Sequence, residues 1–280
     1  MTSMDTGKQA VRAASPFPSV RRLRRAALVA LVLMTACVAL ILPACQKIDE
    51  TPEAYTSPYD WSGLERTGDR LAYYEGGDLR SQMGVDVSSH QGSIDWQAVA
   101  DDGIDFAIVR VGNRGYTEGT LSVDELFAQN IDGAAAAGLE TGAYFFSQAL
   151  SADEAREEAD LVLEQLAGRQ VDLPIAYDHE SVADSAGRAN QLAGEDLAVC
   201  ARAFCERLEA AGYETMVYGN KQDIARFEGD TLDDRPRWLA EYDVAVPTAQ
   251  FDFTIWQYTN NGSIAGIDTA VDLDIRFLIE

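Results

Sequence analysis

The sequence predicts an α/β fold, a modified TIM-type β/α barrel with eight strands in which helices follow about the first five. From Met83 onward, short β-branched and aromatic segments alternate with segments of helical period. The last three strand-like segments then follow one another with little helical sequence between them. This order is typical of a β/α barrel with a simplified final third. An open doubly wound sheet is the alternative fold, but no phosphate-binding glycine motif comes after any of these segments.

The start of the chain predicts an N-terminal transmembrane or signal helix before the barrel. Residues 1–25 form a basic, cytoplasmic n-region, and residues 26–45 are almost entirely apolar. At a rise of ~1.5 Å per residue, the nineteen residues from Ala26 to Ala44 span roughly 28 Å, about the thickness of the hydrocarbon core of a bilayer. Positive charge before the run directs the rest of the chain outward. We therefore expect export, with the protein anchored in the membrane facing outward, or secreted or wall-associated after cleavage. A lipid on Cys45 is a third alternative.

A polar segment, residues 46–82, leads into the predicted barrel domain, residues 83–280. The segment contains the turn-forming sequences TSPYD and EGGD together with several aromatic residues. Two interpretations stay open: a flexible spacer, or a linker whose second half packs on the domain.

The predicted elements of the barrel come in chain order. The eight strands are MGVDVSS, FAIVRVG, TGAYFFSQ, LPIAYDHE, TMVYGN, RWLAEYD, FTIWQYT and AVDLDIRF. The clearest helices are ADEAREEADLVLEQLAG and AGEDLAVCARAFCERLEAAG. Ser151 is a good N-cap for the first helix, with Glu154 at capping-box spacing. Gly168 and Gly212 are suited to end the two helices.

Charge and cysteine content exclude several classes of protein. The chain has 22 Lys and Arg against 46 Asp and Glu, a net charge of −24, which argues against nucleic acid as a partner. The first 47 residues carry seven basic side chains and one acid, so the rest of the chain is more acidic than the average suggests. Cys200 and Cys205 point about 140° apart on a helix and are not expected to pair. With 2 His in all, a structural zinc site is not expected.

Acidic residues stand where the predicted strands end, the place where barrel enzymes carry their chemistry. They are Asp86, Asp178, Glu180, Asp243, Asp272 and Asp274. Asp178 and Glu180 are two apart on one strand, so their side chains project to one side with Cα atoms roughly 6.6 Å apart. Mutual repulsion and partial burial raise the pKa of one such carboxyl above the other. A protonated carboxyl beside an ionised one is what glycoside hydrolysis requires.

Two other interpretations of these acids stay open. Asp86, His179 and Glu180 could ligate zinc or manganese, although His179 points away from its neighbours on a regular strand. Alternatively, the acids are incidental solvated side chains. Aromatic residues near strand ends are candidates for stacking on sugar rings, with core packing as the other explanation: Tyr144, Tyr218, Trp238, Tyr242, Trp256 and Tyr258.

The motif GVDVSSHQGSIDWQAV resembles the opening of glycoside hydrolase family 25, the Chalaropsis-type lysozymes. The resemblance continues through GAYFFSQ, YDHE, VYGN, RWLAEYD, IWQYTNNGSIAGI and VDLD, and covers about residues 83–280. It implies a β/α barrel whose last strands lack full helices. It also implies an N-acetylmuramidase that cuts the β-1,4 bond between N-acetylmuramic acid and N-acetylglucosamine in peptidoglycan, without metal or organic cofactor.

The resemblance assigns roles motif by motif. Glu180 matches the general acid, and Asp178 matches the carboxylate that assists the substrate N-acetyl group or stabilises the oxocarbenium-like transition state. Asp86 and Asp272 match two further acids that line the site. The sequence departs from the pattern at Asp274, where Asn is common, and in having Ser-Gln after YFF, where a His is often found.

The expected function is therefore an exported lysozyme-type muramidase. Its expected partners are peptidoglycan glycan strands and, through the N-terminal segment, the membrane; we expect a monomer. Two alternatives remain: a non-catalytic peptidoglycan-binding module on a membrane stalk, and a metal-dependent barrel hydrolase or deacetylase.

Overall fold

The computed structural model describes residues 55–183, 187–227 and 234–278. The basic segment 1–25, the apolar segment 26–45 and the first part of the segment 46–82 lie outside the described residues. Within the described part of the chain, no helix is long and apolar enough to cross a membrane.

The segment from Tyr55 to residue 80 folds as part of one compact unit with the barrel. It contains an antiparallel three-stranded sheet, β1 (Leu64–Thr67), β2 (Arg70–Glu75) and β3 (Asp78–Leu79), which the sequence did not predict. The hydroxyl of Tyr55 donates to the Phe251 carbonyl at 3.1 Å. From Tyr55 onward, the segment considered as a linker thus makes specific contacts with the domain.

An aromatic cluster joins this N-terminal segment to the barrel. The ring of Tyr59 lies 4.3 Å from that of Phe277 and 5.5 Å from that of Phe253, and its hydroxyl donates to the Phe253 carbonyl. Trp61 and Tyr73 complete the cluster. Phe253 comes just before one barrel strand and Phe277 ends another, so the cluster lies at the end of the barrel opposite the strand ends that carry the acids.

Eight strands close into a barrel, and each of them coincides with a predicted strand. In chain order they are β4 (Ser81–Val87), β5 (Phe106–Arg114), β7 (Glu140–Phe146), β8 (Ile175–Asp178), β9 (Thr215–Asn220), β10 (Arg237–Ala240), β11 (Ile255–Gly262) and β12 (Val271–Phe277). Each pairs with the next, and β12 pairs with β4 to close the ring. A short strand, β6 (Leu121–Val123), forms a hairpin with β5.

The last strand runs against the direction that a fully parallel barrel would have. β12 is antiparallel to both β11 and β4, whereas the other barrel pairs are parallel. A parallel neighbour would need a long crossover connection, and only a short connection separates β11 from β12. As a result, Asp272 stands at the start of its strand and not at the end, yet on the same rim as the other acids.

Helices come after each of the first five barrel strands, as predicted. They are α1 (Trp96–Asp101), α2 (Phe127–Ala136), α3 (Ala152–Leu166), α4 (Gly194–Glu209) and α5 (Lys221–Ile224). The Ser151 hydroxyl accepts from the Glu154 amide at 3.3 Å and so caps α3, as predicted. Gly212 comes shortly after α4 with φ 95°, a conformation that glycine adopts without strain. Cys200 and Cys205 are buried free thiols.

The barrel interior is filled with apolar side chains below the acidic rim. Phe106, Ile108, Leu173, Met216 and Ile255 are buried there. At Gly84 on β4 a Cβ would stand 2.2 Å from the Phe106 ring, so the glycine makes room for that ring. Because this packing fills the lower part of the barrel, space for a ligand is left at the carboxyl ends of the parallel strands.

Candidate active site

A cavity of about 410 Å³ opens at the carboxyl ends of the parallel strands. Every parallel barrel strand except β5 supplies a wall residue within the strand or just after it, and β12 supplies one near its start. The lining residues are Asp86, Tyr144, Asp178, Glu180, Tyr218, Trp238, Tyr242, Gln257, Asn260 and Asp272. The cavity therefore brings together eight of the nine predicted site residues.

Asp178 and Glu180 stand together at the end of β8. Asp178 is the last residue of the strand, and its carbonyl accepts from the Ser147 amide at 2.7 Å, which ties the end of β8 to the neighbouring β7. The side-chain amide of Gln148 donates to the Glu180 carbonyl at 2.9 Å. Ser147 and Gln148, which come directly after β7, thus fix the backbone of the acid pair.

A second contact supports the loop after Glu180. The Ser181 amide donates to the Asp223 carboxylate at 3.2 Å. Arg226 pairs with Asp223 and also donates to the Ser181 hydroxyl at 2.9 Å and the Leu192 carbonyl at 2.8 Å. The arginine therefore ties the loop to the α5 region beneath it.

The acid pair titrates well above the ordinary range of carboxyl groups. Burial, followed by the charge of Asp223, raises the pKa of Glu180 to about 7. Burial, followed by repulsion from Glu180, raises the pKa of Asp178 well above its usual value. The two residues are two positions apart and both line the cavity, so a proton on one carboxyl relieves its repulsion with the other. The pair can therefore hold a proton close to neutral pH.

Asp86 and Asp272 face each other in register on β4 and β12. Asp86 is 5% exposed, and burial is the largest cause that raises its pKa well above the usual value, followed by the charges of Asp274 and Asp272. Burial also raises the pKa of Asp272 to about 6. The cavity therefore holds a second pair of carboxyls on the wall formed by β4 and β12.

Gln257 connects this wall to two tyrosines, and the sequence analysis did not select it. Its side-chain nitrogen donates to Asp86 Oδ2 at 2.6 Å, and its side-chain oxygen accepts from the hydroxyl of Tyr218 at 2.8 Å and from that of Tyr242. The residue is 2% exposed. A polar side chain in the middle of the apolar strand FTIWQYT was the signal that could have identified it. Asn260, further along the same strand, also lines the cavity and was also missed.

The aromatic residues form the base of the cavity. Trp238 is 1% exposed, with the Tyr218 ring 4.5 Å away and the Tyr144 ring 6.1 Å away, both edge to face. Its indole nitrogen donates to Asp274 Oδ1 at 2.8 Å. Tyr144, Tyr218, Trp238 and Tyr242 thus lie where the sequence analysis expected them.

Trp256, which was expected to bind substrate, does not line the cavity. It is fully buried among the residues packed outside the barrel wall, and its indole nitrogen donates to the Glu241 carbonyl at 2.8 Å. Its neighbour Gln257 points inward, and side chains alternate along a strand. Tyr258 likewise faces out, with its hydroxyl on the Asp69 carbonyl at 2.8 Å. Asp243 is exposed and lies outside the cavity lining.

Of the three residues considered as metal ligands, His179 lies apart from Asp86 and Glu180. His179 is fully buried, stacks on Tyr177 with ring centroids 6.1 Å apart and does not line the cavity that holds Asp86 and Glu180. Burial lowers its pKa to about 4. Within the described residues, no group of three or more His, Cys, Asp or Glu side chains is arranged to hold a metal ion.

Comparison with known proteins gives one consistent result. The family model for glycosyl hydrolases family 25 matches residues 85–267. The chain is 29% identical over 191 residues to the autolytic lysozyme of Clostridium acetobutylicum, covering 68% of this chain and 54% of that protein. It is 29% identical over 205 residues to lysozyme M1 of Streptomyces globisporus, covering 70% of this chain and 67% of that protein. The matched region thus spans about half of the first relative and about two thirds of the second.

A solved structure gives the same result at the level of the fold. The bacterial lysozyme from Streptomyces coelicolor superposes with a TM-score of 0.58 at 27% identity, covering 69% of this chain and 90% of that one. The eight-stranded barrel described above is therefore shared with this structure.

Proposed function

The chain belongs to family 25 of the glycosyl hydrolases, and from this we propose that it is an exported muramidase. Its proposed substrate is the β-1,4 bond between N-acetylmuramic acid and N-acetylglucosamine in peptidoglycan. The observation that carries the proposal is the Asp178–Glu180 pair, two carboxyls that stand together at the end of β8 in the wall of an open cavity. The names of its relatives, two of them lysozymes, support the choice of substrate.

Glu180 is the proposed general acid. A carboxyl with a pKa of about 7 is still protonated at mildly acidic pH and can donate its proton to the glycosidic oxygen as the C–O bond breaks. A water molecule then attacks the sugar carbon and returns a proton to Glu180. In the reactive form, the proton of the pair resides on Glu180 and Asp178 is ionised.

Asp178 is the proposed stabilising carboxylate. Its negative charge acts on the oxocarbenium-like carbon directly, or through the acetamido group of the substrate. Tyr144 and Tyr242, which are half-buried in the cavity lining, offer aromatic surface for the C–H face of a sugar ring. Asp86, Asp272 and Gln257 offer hydrogen-bonding groups for its hydroxyl and amide groups.

Activity is tested with the full chain on purified peptidoglycan, with mass spectrometry of the released muropeptides to identify the bond cut and the new reducing end. We expect Glu180→Gln to lower the rate by ~10²–10⁴. Glu206→Gln, an exposed change on α4, is the matched control and should leave the rate unchanged. Wall binding without sugar release by the native protein would favour the non-catalytic module. Full activity in Glu180→Gln would refute the assigned acid, and loss of native activity on chelation would favour a metal hydrolase.

Export is the second part of the proposal, supported by the basic residues and the subsequent apolar run at the start of the chain. A reporter enzyme that is active only outside the cytoplasm, fused after residue 54, should be active in a bacterial host. Inactivity of this fusion, with the reporter present in the cytoplasm, would contradict export.

A further inference from the structure

Asp274 carries a buried carboxyl on β12, two residues further into the barrel than Asp272, which lines the cavity. It is fully buried, and its register partner on β4 is Gly84, which has no side chain. Asp86 is the next inward residue on β4, diagonal to Asp274 across the strand pair, a separation that side chains can bridge. Phe106 and Ile108 pack in the barrel interior around this region. Asp274 therefore has little contact with water.

The hydrogen bonds available to Asp274 do not satisfy an isolated carboxylate. Its Oδ1 accepts from the Trp238 indole at 2.8 Å, whereas its Oδ2 receives no N–H or hydroxyl donor from the described residues. The register of β4 and β12 places the Asp86 carboxyl diagonally next to Asp274, within reach of its unpartnered Oδ2. Two carboxylates only repel each other, so this placement is favourable when one of the two carries a proton and donates it to the other.

The surrounding contacts orient such a proton. The hydroxyls of Tyr218 and Tyr242 both donate to the side-chain oxygen of Gln257, which leaves its nitrogen to donate to Asp86 Oδ2. Asp86 Oδ1 is then the oxygen left to carry a proton toward Asp274 Oδ2. In this arrangement every donor in the series of hydrogen bonds that runs from Tyr218 through Gln257, Asp86 and Asp274 to Trp238 has an acceptor. Both side-chain oxygens of Asp274 then take part in a hydrogen bond.

We propose that Asp274 is a positioning residue that shares one proton with Asp86, so that Asp86 lines the cavity as a neutral acid. For the reaction, this role rests on the proposed function: one of the acids that would face the glycan acts by hydrogen bonding and not by charge. Above the pH at which the proton leaves, the wall gains a negative charge beside Asp272. The titratable groups that interact with Asp86 or Asp274 are Asp272, Tyr144, Tyr218, Tyr242 and Tyr258. Asp178 and Glu180 line the same cavity.

The test counts protonated carboxyls in the full chain at pH 5, where an ordinary aspartate with a pKa of about 3.9 is mostly ionised. Infrared difference spectra against the native protein measure the carboxylic-acid C=O band in Asp274→Asn, Asp86→Asn and the double variant. In each single variant the new amide donates to the remaining carboxylate, so we expect the loss of one protonated carboxyl. The double variant should also lose one and not two. Asp132→Asn, an exposed change on α2, should lose none.

Two results would overturn the proposal. If each single variant loses one protonated carboxyl and the double variant loses two, each of the two carboxyls holds its own proton. If Asp274→Asn loses no protonated carboxyl, the protonation of Asp86 does not depend on Asp274. Thermal melting of each variant establishes that it is folded, and if Asp274→Asn fails to fold, Asp86→Asn is compared with Asp86→Leu. Leucine donates no hydrogen bond, so the proton should remain on Asp274, and Asp86→Leu should lose no protonated carboxyl. Equal losses in Asp86→Asn and Asp86→Leu would contradict a shared proton. The count does not require the protein to cleave a glycan, so it can fail independently of the proposed function.

Discussion

Asp86 on β4 and Asp272 on β12 face each other across an antiparallel strand pair at the cavity wall. Residues directly opposite in such a pair have Cβ atoms about 4.5–5.5 Å apart, and like charges at this distance are destabilising. The backbone register therefore holds the two acids together, and a proton on either one relieves their repulsion. Asp178 and Glu180 are likewise held two residues apart at the end of β8. Where both acids of a pair are ionised, their repulsion lowers the stability of the fold, and this effect can be measured.

The raised pKa of Glu180 makes stability depend on pH. The glutamate pKa is about 4.3 in an unfolded chain and about 7 in the fold, so the folded state binds the proton more tightly. Its contribution to stability is fully present below about pH 4 and is lost as the pH rises through about 7. We expect Glu180→Gln to be more stable than the native protein at pH 8 by about 1–3 kcal/mol, and nearly equal to it at pH 4.

Urea unfolding of both proteins at pH 4 and pH 8 measures this difference. Glu206→Gln is the control, because its side chain is exposed on α4 and should give no difference that depends on pH. A Glu180→Gln variant less stable than the native protein at pH 8 would contradict the prediction.

Gln257 should matter to activity although it is not an acid. Gln257→Leu removes the donor to Asp86 and the acceptor of the Tyr218 and Tyr242 hydroxyls. A hydrogen bond to a polar or charged group contributes about 1–3 kcal/mol, so we expect kcat/KM to fall by roughly 10- to 100-fold. Gln97→Leu, an exposed change on α1, should have no effect. Steady-state kinetics on soluble glycan fragments distinguishes these outcomes, and native kcat/KM in Gln257→Leu would show that the contacts do not support the reaction.

The position of Trp256 outside the cavity and the omission of Gln257 have one physical cause. Strands of a β/α barrel are covered on both faces, so their sequences are apolar throughout and alternation does not show which side chains point inward. In FTIWQYT both Trp256 and its neighbours are buried, and only the register of β11 turns Gln257 toward the cavity. Asp178 and Glu180 were predictable because acids in an otherwise apolar strand stand out.

Other features depended on long-range contacts that sequence patterns do not contain. Asp272 was predicted to lie at the site because acids were expected at the ends of parallel strands, but it arrives there at the start of an antiparallel one. The sheet β1–β3 is short, and it packs through aromatic contacts on residues near the other end of the chain, such as that of Tyr73 on β2 with Phe277. The β propensity of these residues does not reflect contacts with residues that are distant in the sequence.

Tyr59 should affect stability without affecting the chemistry. It is 6% exposed in the aromatic cluster at the end of the barrel opposite the cavity. Replacing a buried aromatic residue by alanine costs about 3–5 kcal/mol, so Tyr59→Ala should unfold at much lower denaturant concentration. Tyr59→Phe, which loses only the hydrogen bond to the Phe253 carbonyl, should cost about 0.5–1.5 kcal/mol.

Kinetics at a temperature where all three proteins are folded provides the second measurement. We expect kcat to be the same in the native protein, Tyr59→Phe and Tyr59→Ala. A fall in kcat in the folded Tyr59→Phe variant would mean that the N-terminal sheet influences the cavity.

The acidity of the chain predicts an unusual response of wall binding to salt. After the first 47 residues the chain carries 15 basic and 45 acidic side chains, so its charge cannot attract it to an anionic wall. Affinity must then come from the aromatic and hydrogen-bonding contacts in the cavity, and salt screens only repulsion. We expect binding of the inactive Glu180→Gln variant to purified walls, measured by co-sedimentation, to stay constant or strengthen between low and physiological ionic strength. A cationic protein in the same assay should lose binding, and a comparable loss by this chain would mean that a basic patch outside the cavity contributes to its affinity.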